Sequence, residues 1–179
     1  MRIRNLLMII LAIALCSCSA VRVLETEADP EFSLSQYKTF DFFQIESAVD
    51  SSEYFAENAD LLKEAIAREL QARGLTQSSS APDLLVNIGI TVKDKVQTRE
   101  TNFRDAPRYM GQRNYTWKSE EIVVRRYREG TVSVHLVESP TRQMVWNGVV
   151  AGTIPDNKNK LPDTIDEAMR KLFAEESGR

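Results

Sequence analysis

From Asp83 to Gln97 apolar and polar residues alternate: Leu84, Val86, Ile88, Ile90 and Val92 on one side, Asn87, Gly89, Thr91 and Lys93 on the other. A period of two is that of a β-strand with one buried face. A strand this long needs neighbours to pair with and a layer to cover its apolar side. The rest of the chain supplies both. Val21 and Val23, spaced by polar residues, read as a first strand that ends at an Asp29-Pro30 turn. The aromatic-rich run Tyr37 to Phe43 suits a second. Glu121 to Arg128 and Thr131 to Glu138 read as a hairpin, with Gly130 as the positive-φ turn residue after Glu129. Ser139-Pro140-Thr141 makes the next turn, and Gln143 to Ile154 gives another strand.

Two segments carry a helical period instead. Across Asn58 to Arg73, Leu62, Ile66 and Leu70 stack at i, i+4 spacing, with Leu61 and Ala65 widening the stripe. Glu64 and Arg68, and Glu69 and Arg73, are spaced to pair on the outside. Gly74 is a left-handed stop and Leu75 is placed to pack back. The closing helix is announced by the capping box Thr164-Ile165-Asp166-Glu167, and Ile165, Met169, Leu172 and Phe173 form its inner stripe beside Ala168. A helix between two strands implies a crossover with parallel neighbours, and the later strands meander antiparallel. The expected fold is α+β: a two-layer sandwich with a mixed, mostly antiparallel sheet of five or six strands, both helices on one face.

The chain of 179 residues is one domain by size, with 23 Lys+Arg against 26 Asp+Glu. The net charge of −3 argues against nucleic acid as a partner. One histidine and two cysteines are too few for a closed zinc site, and no cofactor is expected. At the start, Arg2 and Arg4 precede the apolar run Leu6 to Leu15, which is too short to span a bilayer and has the layout of an export signal. Leu15-Cys16-Ser17-Cys18 resembles a bacterial lipobox. That resemblance implies cleavage after Ser17, diacylglycerol on the Cys18 thiol and an acylated amine. Residues 1–17 are then a signal peptide and 18–179 a single domain on a short tether. Two or more acyl chains hold a protein firmly on a bilayer. Ser19 after the cysteine points to the periplasmic face of the outer membrane. The mature chain keeps 21 basic and 26 acidic residues, and no thiol is left for a disulfide.

Several stretches together resemble the DUF4136 family of envelope lipoproteins, a domain of unknown function. They are Phe32-Ser33 with Tyr37-Lys38-Thr39-Phe40, Ala72-Arg73-Gly74-Leu75 with Pro82-Asp83-Leu84-Leu85-Val86, and Glu129-Gly130-Thr131-Val132 with Val145-Trp146-Asn147-Gly148. Glu138 stands where the family more often has Asp. The resemblance implies a lipid-anchored envelope domain with no established catalytic residues.

Searches for catalytic groupings find neither a nucleophile elbow nor a dinucleotide or Walker glycine pattern. His135 reads as an ordinary strand residue. Glu120-Glu121 and Glu175-Glu176 are neighbours in sequence and read as solvated charges. The unusual feature is charge placement: Lys93 to Arg128 holds ten basic and five acidic residues. Within it, a loop near residues 99–118 has no helical or strand period. Its Arg104, Arg108, Tyr109, Arg113, Tyr115 and Trp117 form a candidate partner-binding set, with arginines for anionic groups and rings for sugar faces or apolar surfaces. The plainer reading is a mobile extension of two strands. The expected function is a non-catalytic, lipid-anchored envelope module that binds a protein or serves envelope maintenance. The alternative is a small-ligand module for anionic lipid headgroups or cell-wall glycan. An unrecognised enzyme would need a deep pocket with convergent carboxylates.

Overall fold

A computed structural model describes residues 21–47, 52–101 and 121–176. The strands are β1 (Val21–Ala28), β2 (Thr39–Ser47), β3 (Thr76–Gln77), β4 (Leu84–Glu100), β5 (Glu121–Glu138) and β6 (Met144–Thr153). The helices are α1 (Ser52–Ala72) and α2 (Leu161–Glu176), with single 3₁₀ turns at Leu34–Gln36 and Lys158–Lys160. All six strands join one sheet in the order β1-β6-β5-β4-β2-β3. β2 runs parallel to β4 and β3, and the other pairings are antiparallel. This is the expected α+β sandwich, with α1 as the crossover between the parallel strands β2 and β4.

One side of the sheet is apolar because the strands keep their period. Leu84, Val86 and Ile88 of β4 pair beside Val134 and Leu136 of β5 and Trp146 and Val150 of β6, all buried. Leu62, Ala65, Ile66 and Leu70 of α1 and Met169, Leu172 and Phe173 of α2 close over them. The Trp146 ring stacks on Phe173 at 5.3 Å between centroids. Arg73 joins the two helices: it pairs with Glu69 at 2.7 Å, donates to the Phe173 carbonyl at 2.9 Å and lies over the Phe173 ring. Gly74 ends α1 with φ +95°, and the Leu75 N–H returns to the Leu70 carbonyl at 3.2 Å, which buries the Leu75 side chain.

Four local expectations are corrected. Glu129-Gly130 is not a hairpin turn, since β5 runs unbroken through it and Gly130 pairs with Val92 on one side and Gly152 on the other. Two neighbouring strands hold that backbone extended, and their ladder bonds outweigh the turn preference of one glycine. Thr164 does not cap α2, which starts at Leu161 with Pro162 in its first turn, where a missing N–H is tolerated. The Asn157 side chain instead caps the preceding 3₁₀ turn, accepting from the Asn159 N–H at 3.0 Å, and Thr164 Oγ1 donates back to the Lys160 carbonyl. The second strand begins at Thr39 and reaches Ser47, two residues later and four further on than the aromatic run suggests. α1 starts at Ser52, six residues before the Asn58 at which the apolar stripe suggested a start.

Candidate functional site

The antiparallel pair β4–β5 is much longer than the sheet that contains it. β2 stops pairing with β4 at Ser47 opposite Ile90, and β6 stops pairing with β5 at Thr153 opposite Glu129. Residues 93–100 and 121–128 therefore form ladder pairs with each other, and at the base the Arg128 carbonyl also accepts from the Ile154 N–H at 2.9 Å. They form a two-stranded arm about 27 Å long, with every residue but Tyr127 exposed. Among the described residues no third strand borders either edge, and an edge of this kind suits pairing with another strand.

Strand alternation sorts the charges of this arm by side. Lys93, Lys95, Arg99 and Arg125 fall on one side with Tyr127 and Ile122. Arg126 and Arg128 fall on the other with Asp94, Glu100 and Glu121, beside Val96 and Val123. A register shift between Gln97 and Thr98 leaves Val124 as the extra residue. The basic side continues the helix-free face of the sheet. At its root Glu129, largely buried, meets Arg22 at 2.8 Å and Lys95 at 3.6 Å. Val96, Ile122, Val123 and Val124 are four of the seven large apolar side chains exposed among the described residues. The arm thus offers cations, apolar side chains and backbone edges together, a combination suited to a protein surface.

Every residue singled out from sequence as a site residue, Cys18 as well as Arg104, Arg108, Tyr109, Arg113, Tyr115 and Trp117, lies outside the described residues. What the structure adds is where the loop is attached: its ends, Thr101 and Glu121, are the far end of the arm. The arm itself was hidden in sequence by the turn read at Glu129-Gly130. The signal that could have found it is the unbroken, equal length of the two paired segments flanking the loop.

The motif residues gather elsewhere, in structural tasks. Asp83 accepts from the Lys38 and Thr39 N–H groups at 2.8 and 3.0 Å, and its own N–H donates to Thr39 Oγ1 at 2.9 Å. These backbone hydrogen bonds hold the Asp83 carboxyl below its ordinary pKa. The clasp ties the start of β4 to the start of β2. Nearby, burial and then the Glu138 carboxylate push the Tyr37 phenol up. Gly148 lies under the Trp146 ring: a Cβ there would stand 2.4 Å from the ring edge and 2.8 Å from Leu172 Cδ1. His135 sits half-buried in β5 between Asn87 and Asn147. Among the described residues no three acidic, histidine or cysteine side chains come together as a metal site would need. No described helix is long and apolar enough to cross a membrane.

Fold and arm define a two-layer α+β domain with a projecting two-stranded extension. The chain belongs to the DUF4136 family, a domain of unknown function whose model matches residues 24–175. No protein of curated function matches it in sequence. Among solved structures it is similar to a PDZ domain protein from Parabacteroides distasonis, at 13% identity and a TM-score of 0.52, over 94% of this chain and 39% of that one. It is also similar to a PelC dodecamer from Paraburkholderia phytofirmans, at 12% identity and a TM-score of 0.50, over 89% of this chain and 98% of that one. These likenesses concern the fold.

Proposed function

We propose that the protein is a lipid-anchored, non-catalytic component of the bacterial cell envelope that presents its arm to a partner protein. The anchor is Cys18, at the periplasmic face of the outer membrane. One observation carries the binding role: a ribbon of two strands leaves the sheet with no covering layer among the described residues, and exposes Val96, Ile122, Val123 and Val124 beside its cations. Such a ribbon forgoes burial that the same residues could gain elsewhere, which suits a surface completed by another molecule. The set Arg104, Arg108, Tyr109, Arg113, Tyr115 and Trp117 lies in sequence between the two strand ends, and in this reading it serves the same partner.

Crosslinking in living cells tests this reading. With Arg104, Arg108, Arg113 and Trp117 changed to Ala together, the crosslinked partner is lost while membrane retention stays. An unchanged set of crosslinked proteins would remove the loop from the function. Cys18→Ala separately releases the protein from the membrane fraction, and retention without detergent-extractable lipid would end the anchor reading. The sorting of Lys93, Lys95, Arg99 and Arg125 onto one side favours a second reading, in which the arm grips anionic lipid headgroups or glycan. Non-lipidated protein would then sediment with membranes or peptidoglycan at low salt and dissociate as salt rises.

A further inference from the structure

Between the sheet and the N-terminal halves of both helices lies a cavity of about 90 Å³, partly open to solvent. Leu62, Val92, Val132, Val150, Ile165 and Met169 line it, and among the described residues only Asn58, Thr153 and Thr164 bring polar side-chain atoms. Its floor is a pair of glycines. Gly130 of β5 faces Gly152 of β6, with Val92 beyond the first and Val21 beyond the second, all in one cross-strand row.

The backbone does not require glycine at either place. Among the described glycines only Gly74 has a positive φ. A Cβ at Gly130 would come no nearer than 3.4 Å to its closest neighbour, Ile154, in contrast to the clash at Gly148. Glycine within a strand weakens it, and an unfilled apolar space forfeits contacts on all its walls. The chain thus gives up stability twice at one spot, and the described side chains leave the space unfilled. An enclosed apolar cavity of about 150 Å³ accepts a six-carbon ring, so this smaller, partly open space has room for the end of an alkyl chain, about four carbons.

We propose that the cavity receives the end of a single straight alkyl chain, supplied by a lipid of the adjoining bilayer. Val21, in the cavity wall, follows Cys18 by three residues, which span at most about 10 Å. The bilayer as source rests on the anchor reading of the preceding section. The affinity for an alkyl chain does not, so the two can fail separately.

The described core lies within residues 21–176, so the chain from Cys18 to Arg179 carries it whole. With Cys18→Ser and therefore no lipid of its own, that chain is titrated with decanoate while methionine methyl resonances are followed by NMR. Met169 lines the cavity and is fully buried, whereas Met144 is exposed on β6 and serves as the control. The Met169 methyl shifts and saturates, and Met144 stays. Gly130→Val and Ala168→Leu fill the space from the sheet and from α2, and each weakens decanoate binding at least tenfold with cooperative unfolding retained. A silent Met169 in the folded, unsubstituted cavity overturns the site, as does undiminished binding in either folded filled variant. The lipidated chain in phosphatidylglycerol nanodiscs shows Met169 at its decanoate-bound position. If decanoate binds but that resonance stays at the free position, the bilayer is excluded as the source.

Discussion

The Glu129 carboxylate holds the Arg22 guanidinium at 2.8 Å, and by doing so links β5 to β1 across the intervening strand β6. The same carboxylate reaches Lys95 at 3.6 Å on β4. Glu129 is thus a tie at the root of the arm, where the six-stranded sheet narrows to two strands. Both cations are largely exposed, so solvent screens the pair and its worth is modest. Glu129→Gln is expected to cost about 1 kcal/mol in urea unfolding. Its sharper signature is local: amides of residues 93–96 and 126–128 exchange faster, while those of β4 between Leu84 and Ile90 do not change.

Gly148→Ala places a methyl group where the Trp146 ring and Leu172 already stand. Trp146 cannot retreat without disturbing its stack on Phe173. The substitution is expected to lower stability by about 1–3 kcal/mol, read from the urea midpoint at unchanged slope. A loss of stacking shows as well in the near-ultraviolet circular dichroism of the tryptophan.

Asp83 makes stability fall at acid pH. Its folded-state pKa is depressed by the Lys38 and Thr39 N–H groups, so the stabilisation is complete above the unfolded value of about 3.9 and is lost as pH falls through the lower folded value. Thermal unfolding followed downward from pH 6 should show that decline beginning near pH 4. In Asp83→Asn the protein is less stable at neutral pH, and the acid decline becomes shallower. Equal slopes in the two proteins would show that the clasp does not govern the acid limb.

Gly74→Ala forces an L side chain into φ +95° at the end of α1. No neighbour lies within 4 Å of the added Cβ, so the cost is conformational and not a clash. About 1–2 kcal/mol is expected in chemical unfolding. Gly130→Ala, at a glycine of ordinary φ, is expected to cost less than Gly74→Ala, and measuring the two side by side separates backbone strain from packing.

Where an element is made by its own residues, reading along the chain succeeded. Leu84 to Val92 alternates because successive residues face the helices and the helix-free side in turn, and Leu62, Ile66 and Leu70 stack because a helix turn brings them together. The family signatures were visible too, though not their purpose. Lys38-Thr39 and Asp83 are forty-odd residues apart, and only folding shows that one clasps the other. Trp146 and Gly148 are nearly adjacent, yet the need for glycine comes from the ring that α2 presses onto the sheet.

By itself the sequence determined the α+β class, the apolar face of each strand, the end of α1 at Gly74 and the basic band from Lys93 to Arg128. These follow from residue type and local periodicity. Tertiary structure decided that Glu129-Gly130 continues a strand, that the basic band is split onto two sides of a projecting ribbon, and that Gly130 and Gly152 meet beneath a cavity. The reason is that a strand's partners lie far away in sequence. Hydrogen bonds from β4 and β6 fix the backbone at Gly130, and register across strands, which no local pattern encodes, sets which side chains share a face.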